Sequence, residues 1–142
     1  MLTNLEIARQ RLNNQHIAQP LFKTAREVVQ YMGAVQAQDY AGAKWAIGLR
    51  MQKSSDAMID QALADGSIIR THVLRPTWHF ITPADAHWMI DLTAPRIHAF
   101  SASRYRQLQL DSLVFKQAND ALAKALVAQP CRSNRSFKQC RR

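Results

Sequence analysis

Cysteine is nearly missing from this chain. Its 142 residues hold two, Cys131 and Cys140, with eight residues between them near the C-terminal end. A lone pair without a second pair makes neither a disulfide framework nor a zinc site, and both read as incidental. The five histidines are scattered and show no paired Cys/His or His-Glu-x-x-His spacing, so no metal is expected. Neither a Gly-x-Gly-x-x-Gly run nor a phosphate-binding P-loop occurs, and the expected cofactor set is none. No stretch of eighteen apolar residues exists, so no span of a membrane is expected. The start, Met1 to Glu6, lacks the basic-then-apolar layout of a signal peptide. These absences point to a cytoplasmic protein.

What is present starts with hydrophobic content of 47%, enough for one core and too little for a second full domain at this length. Net charge is +9, from nineteen Lys and Arg against ten Asp and Glu. Five of those bases (Arg132, Arg135, Lys138, Arg141, Arg142) fall in the last twelve residues, which contain no acid, so residues 1–130 carry only +4. That excess is compatible with a phosphate backbone as partner but does not decide for it.

Periodicity orders the chain as helices followed by a hairpin. Leu5, Ala8 and Leu12 make an amphipathic stripe over 3–18, which Gln19-Pro20 ends. Thr24 with Glu27 reads as a capping box opening a second helix, with Val28, Val29 and Met32 on its buried face. Residues 42–51 read as a third helix with Ala43, Trp45, Ala46 and Leu49 inward. Ser54-Ser55-Asp56 caps a fourth, with Met58, Ile59, Ala62 and Leu63 as its stripe and Asp65-Gly66 as its stop. From Ser67 the residues become β-branched and aromatic: 68–74 and 77–81 predict two strands joined through Arg75-Pro76. Thr82-Pro83 opens a helix to about Leu92. Pro95 predicts a break, with helical patterns near 96–108 and 111–128. The expected fold is therefore mainly α with a small β-hairpin (α+β), of winged-helix or helix-turn-helix type over 1–128. Residues 129–142 lose all periodicity and predict a basic tail, disordered or read out of frame.

One stretch stands apart from scaffold. Between Gly33 and Arg50 lie Gln36, Gln38, Asp39 and Tyr40, set between small-residue turns, then Lys44, Trp45 and Arg50 among apolar neighbours. Buried polar groups need partners, so such a run suits a surface that faces a substrate. The chain has thirteen glutamines, and Gln107-Leu108-Gln109 repeats the Gln-x-Gln pattern, so the tripeptide alone is a weak signal. Geometry sets a condition on it. Residues at i and i+2 share a side in an extended segment and diverge in a helix. Gln36 and Gln38 can meet one water only if 36–40 is a loop or strand-like turn; in a helix Gln36 would instead face Asp39.

Val-Gln-Ala-Gln-Asp-Tyr (35–40) with Gly42 and Ile-Gly-Leu-Arg (47–50) resembles the core signature of the AlkZ/YcaQ-like winged-helix proteins. Ile-Arg-Thr-His-Val-Leu-Arg-Pro-Thr-Trp-His-Phe (69–80) followed by Pro-Ala-Asp (83–85) resembles their second signature, in the same order and spacing. These are bacterial DNA glycosylases that excise alkylated bases, N7-alkylguanine among them. Family members are much longer and use tandem winged-helix domains, so this chain corresponds to their N-terminal part. The resemblance implies double-stranded DNA with alkylated bases as partner, a monomer, and Gln36 and Gln38 as the catalytic pair. Asp39 is the alternative, as a water-activating or electrostatic carboxylate.

The remaining polar residues follow from that implication. Arg70, Arg75 and His79 would touch DNA from the hairpin, with His72 on its solvent face. Lys44 and Arg50 would reach phosphate. Trp45 and Trp88, at helical spacing among apolar residues, read as core rather than as platforms for a flipped base. Two rival readings stay open at this point. One is a winged-helix DNA-binding protein without catalysis, with a regulatory role open to it; the other is an inactive truncated gene product.

Overall fold

The first four helices each start at a local side-chain cap. The computed structural model describes residues 2–74 and 77–128. Thr3 and Glu6 form a capping box at the start of α1 (Asn4–Asn14). Thr24 and Glu27 form another at α2 (Ala25–Met32): Thr24 Oγ1 accepts from the Glu27 amide at 3.2 Å, and Glu27 Oε2 accepts from the Thr24 amide at 3.0 Å. Gly33, at φ +72°, ends α2 in a conformation that a side chain resists. A two-residue strand β1 (Val35–Gln36) follows, then α3 (Tyr40–Gly48), capped by Asp39, and α4 (Asp56–Ala64), capped by Ser55. The hairpin is β2 (Ile69–Val73) and β3 (Thr77–Ile81). A 3-10 turn at Pro83–Asp85 leads into α5 (Ala86–Gln107), and α6 is Ser112–Ala128.

The three strands form one antiparallel sheet in the order β1-β3-β2. Val35, Phe80 and Arg70 are aligned across it, as are Gln36, His79 and Thr71. Aligned residues in an antiparallel sheet share a face, while successive residues point to opposite faces, so neighbours along β3 serve different clusters. Phe80 joins Val28, Val29, Ala37, Ala43, Ile47, Ile59 and Ile68 in the helical core. Ile81 joins Val73 and Met89, with Ala34, Ile69 and Ala86 against them. Covered on both faces, β3 has Phe80 and Ile81 fully buried. This is what makes the central strand read as an apolar run.

The chain divides into two units, 1–90 and 91–142. The first holds the sheet, both clusters and α1 to α4. In the second, Tyr105 contacts Phe115 edge-on at 5.2 Å and His98 at 6.0 Å.

Several expectations change. Met32 and Met58, read as apolar positions on packed helix faces, are exposed. Helix α1 is shorter than 3–18, and its Leu5, Ala8 and Leu12 stripe is exposed. The third helix starts at Tyr40 and ends at Gly48 rather than spanning 42–51. Trp45 points outward at 69% exposure, because Ala43, Lys44 and Ile47 take the buried face of α3. Trp88 is also exposed, its Nε1 donating to Asp85 at 2.8 Å. Pro95 lies inside α5 and does not break it; proline removes one helical N–H bond, and the flanking turns carry the rest. Strand β1, absent from the sequence reading, is too short for any periodicity and exists through pairing with β3. The basic tail expected at 129–142 lies outside the described residues.

Candidate active site

The chain is a strand at Val35–Gln36 and bends at Gln38 and Asp39, the strand-like turn that convergence of the two amides requires. Val35 and Gln36 pair with Phe80 and His79, and the ladder runs one step further: the Ala37 amide donates to the Trp78 carbonyl at 2.7 Å. Ala37 is 0% exposed and sits in the helical core. Its neighbours on either side are therefore turned away from the core, and Gln36 and Gln38 are both exposed. In an extended chain, positions two apart lie about 6–7 Å from each other, a span that two glutamine side chains bridge easily. Gln38 Oε1 also accepts from the Trp78 amide at 3.4 Å, which leans it toward β3.

Asp39 then switches the chain from strand to helix. At φ −84° and ψ 106° it is still extended, and its Oδ1 accepts from the Gly42 amide at 3.1 Å, satisfying a free N–H of the first turn of α3. Gly42 leaves room for that carboxylate: a Cβ here would force the Asp39 side chain to shift. Gln36, Gln38 and Asp39 thus line one open pocket of about 320 Å³, whose other wall is Gly42, Ala43 and Ala46 of α3. The volume falls in the range of small-molecule sites, about 300–1,000 Å³. Two amides supply donors and acceptors, and the carboxylate is acceptor-only when ionised. The set can hold a water and stabilise nearby positive charge. The small-residue wall was missed in the sequence, although Gly42, Ala43 and Ala46 at i, i+1 and i+4 mark one helical side without bulk.

A cation-aromatic network lies beside the pocket. Arg70 donates from Nε (3.2 Å) and Nη2 (2.9 Å) to the Ala37 carbonyl, and its guanidinium lies 4.5 Å from the Trp78 ring and 5.4 Å from that of Tyr40. Trp78 also meets His72, with ring centroids 3.9 Å apart. Tyr40 donates to Asp60 at 3.2 Å and has the Lys44 ammonium 5.4 Å from its ring. Burial first, then the Asp60 charge, pushes the Tyr40 phenol up.

The expectation that Lys44 and Arg50 reach phosphate finds no support in this geometry. Lys44 is 5% exposed and pairs with Asp56 at 2.7 Å and Asp60 at 2.6 Å, tying α3 to α4. Burial works against its charge, but the hydrogen bonds to Asp56 and Asp60 outweigh it and hold the ammonium's pKa up. The Lys44 hydrogen bond in turn pulls the Asp60 carboxyl down. Arg50, 7% exposed, donates to the Ala46 carbonyl at 2.6 Å and to Gln15 Oε1 at 2.7 Å, with its Nε buried and unpartnered; burial lowers its pKa. Both are internal because each has a nearby acceptor that a surface cation would lack.

His79 is buried at 8% exposure, beside Gln36 across the β1–β3 pair, and its Nδ1 lies 2.9 Å from the Thr77 carbonyl. A carbonyl only accepts, so Nδ1 carries the proton and Nε2 is the acceptor of the neutral ring. Arg75 lies outside the described residues. A second concavity of about 330 Å³ lies against α3 and α4, lined by Trp45, Lys44, Ser54, Ser55 and Asp56 among others; none of the Gln36–Asp39 residues reaches it. Among the described residues no cluster of metal-ligating side chains occurs, and no helix is long and apolar enough to cross a membrane.

Comparison with known proteins gives one match. The family profile described as DNA glycosylase AlkZ-like aligns with residues 29–141, a span that includes the pocket, the hairpin, α5 and α6. No match was found among curated proteins or among solved structures. The order of helices and hairpin agrees with the winged-helix fold of that family. On the breadth of this match, the chain belongs to the AlkZ-like DNA glycosylase family.

Proposed function

We propose that the protein is a monofunctional DNA glycosylase that hydrolyses the N-glycosidic bond of cationic, alkylated purines such as N7-alkylguanine in double-stranded DNA. The observation that carries this reading is the convergence of Gln36, Gln38 and Asp39 on one pocket from a strand-like turn. Family membership supports action on DNA.

The chemistry suits neutral amides. Release of an ordinary base needs protonation of a poor leaving group, which calls for a general acid. A purine alkylated at N7 already carries positive charge and departs without one. What remains is to position a water and to stabilise an oxocarbenium-like sugar as it forms. Amide oxygens of Gln36 and Gln38 serve both roles, and Asp39 adds negative charge at the pocket edge while its Oδ1 caps α3. In this reading the protein acts as a monomer, without a cofactor, beside the nucleoid. Of the DNA contacts expected from sequence, Arg75 keeps its role by its position between β2 and β3. His79 contributes through its pairing with Gln36 rather than through an exposed face.

The test is incubation of the purified chain with duplex DNA carrying N7-methylguanine, scoring free base and abasic sites, with Gln36→Ala and Gln38→Ala in parallel. Release by the parent and its loss in both variants is the expected result. A folded parent that binds the duplex and releases no base would reduce the protein to a DNA-binding module.

A further inference from the structure

We propose that Arg70 is a positioning residue for the Gln36–Gln38 pair, acting through the backbone between them, and does not serve as a phosphate contact. The inference rests on the glycosylase reading above and assigns Arg70 its part in that site.

The two peptide planes that flank Ala37 fix the directions in which Gln36 and Gln38 leave the chain. The plane between 36 and 37 is held by its N–H, bonded to the Trp78 carbonyl at 2.7 Å. The plane between 37 and 38 is held by its carbonyl, which accepts both Nε and Nη2 of Arg70 at 3.2 and 2.9 Å. The Ala37 methyl is fully buried and closes the third direction. Without Arg70 the second plane loses this anchor, and Gln38 is left with the long 3.4 Å bond from the Trp78 amide to its Oε1, which holds the side chain less firmly toward the pocket.

The route of the side chain supports a dedicated role. Arg70 stands on β2, and β3 lies between β2 and β1. To reach Ala37, its side chain crosses the face of β3 over the Trp78 ring at 4.5 Å, with Tyr40 at 5.4 Å. A guanidinium can stack by its face and donate in its plane at once, which an ammonium cannot. Charge-assisted bonds of this kind are about twice as strong as neutral ones. The edge carrying Nε and Nη2, one of the two by which a guanidinium grips a phosphate, is engaged by the protein itself. Arg70 is also half-buried rather than displayed.

Arg70→Gln and Arg70→Lys separate this role from a phosphate contact. The measurements are the single-turnover rate of base release from N7-methylguanine duplex at saturating protein, the Kd for that duplex, and the salt dependence of that Kd, in protein shown to be folded by circular dichroism. For a positioning residue the rate falls about 10–100-fold in both variants, since small misplacements of this kind are costly. Kd and its salt slope stay at parent values, and lysine does not rescue. A weaker Kd with a salt slope reduced by about 1, restored by lysine and with the saturated rate unchanged, is the signature of a phosphate contact and would overturn the proposal. Arg70→Lys keeps charge and stem, so it carries the test if Arg70→Gln does not fold. Should the parent release no base, the glycosylase reading fails by itself. The positioning role is then read from the side-chain NH2 resonances of Gln36 and Gln38, assigned by their loss in the alanine variants. Collapse of the Gln38 pair toward disordered shifts in Arg70→Lys supports it; unchanged resonances refute it.

Discussion

The chain contains Gln-x-Gln twice, and the two copies share little beyond their glutamines. At 36–38 the middle residue is a fully buried alanine, its N–H and carbonyl are bonded to Trp78 and Arg70, and both amides line one pocket. At 107–109 the middle residue is an exposed leucine at the C-terminal end of α5. There Gln107 accepts from its own helix neighbour Arg104 at 3.3 Å, and Gln109 turns the chain at φ +54°. Two amides become a site when the residue between them is anchored in a core and the backbone is strand-like. A helix end gives the same tripeptide no common direction.

The largest effect that would break this comparison is on base release. Gln36→Ala and Gln38→Ala are each expected to lower the single-turnover rate about 100-fold, the scale of losing one group that stabilises transition-state charge. Gln107→Ala and Gln109→Ala are expected to leave it at the parent value. Equal losses at both copies would mean that the tripeptide's surroundings do not matter. Next in size is the anchor itself. Ala37→Leu inserts bulk into a packed core and should cost about 1–3 kcal/mol in urea unfolding. Leu108→Ala, at an exposed position, should stay within about 0.5 kcal/mol. A silent Ala37→Leu would show that the middle residue is not held as described.

Local signals made much of this legible from sequence. The capping box at Thr24, the cap at Ser55 and the two strands of the hairpin are written within a few residues of where they act, and all are found. The Gln36–Asp39 segment was legible as unusual, together with the condition that it be a loop or strand-like turn. What escaped depends on partners far along the chain. Strand β1 is two residues long and needs β3, some forty positions later. Lys44 reads as a solvated cation until α4 brings Asp56 and Asp60 against it. Arg70 alternates correctly for an exposed strand face, and only the arrival of Ala37 and Trp78 turns it inward. Trp45 failed for another reason: two helical sides of α3 compete, and Ala43 with Ile47 wins on fit to a tight core.

Asp39 sharpens the comparison at smaller cost, because capping and catalysis can be separated there. Asp39→Ala removes the bond to the Gly42 amide and should lower stability by about 1 kcal/mol. Asp39→Asn retains an equally good cap, so stability in thermal unfolding should match the parent. If the amides perform the chemistry, base release survives Asp39→Asn while remaining sensitive to Gln36→Ala. Loss of release in a fully stable Asp39→Asn protein would transfer the water-activating role to the carboxylate.

The smallest expected effect concerns Lys44, whose inward turn removes it from the DNA-facing set. Lys44→Met keeps the buried stem and deletes the ammonium between Asp56 and Asp60. Because both carboxylates are largely exposed and rehydrate, the loss should be near 1 kcal/mol, and the salt slope of duplex binding should not move. The pH dependence carries the sign. Asp60 is held below its ordinary pKa by Lys44, so its contribution is present above the unfolded carboxylate pKa, about 4, and is lost as pH falls through the lower folded value. Urea midpoints measured from about pH 6 down to about pH 3 should therefore decline less in Lys44→Met than in the parent, by a few tenths of a kcal/mol. An identical decline, together with a shallower salt slope for DNA, would return Lys44 to the surface as a phosphate contact.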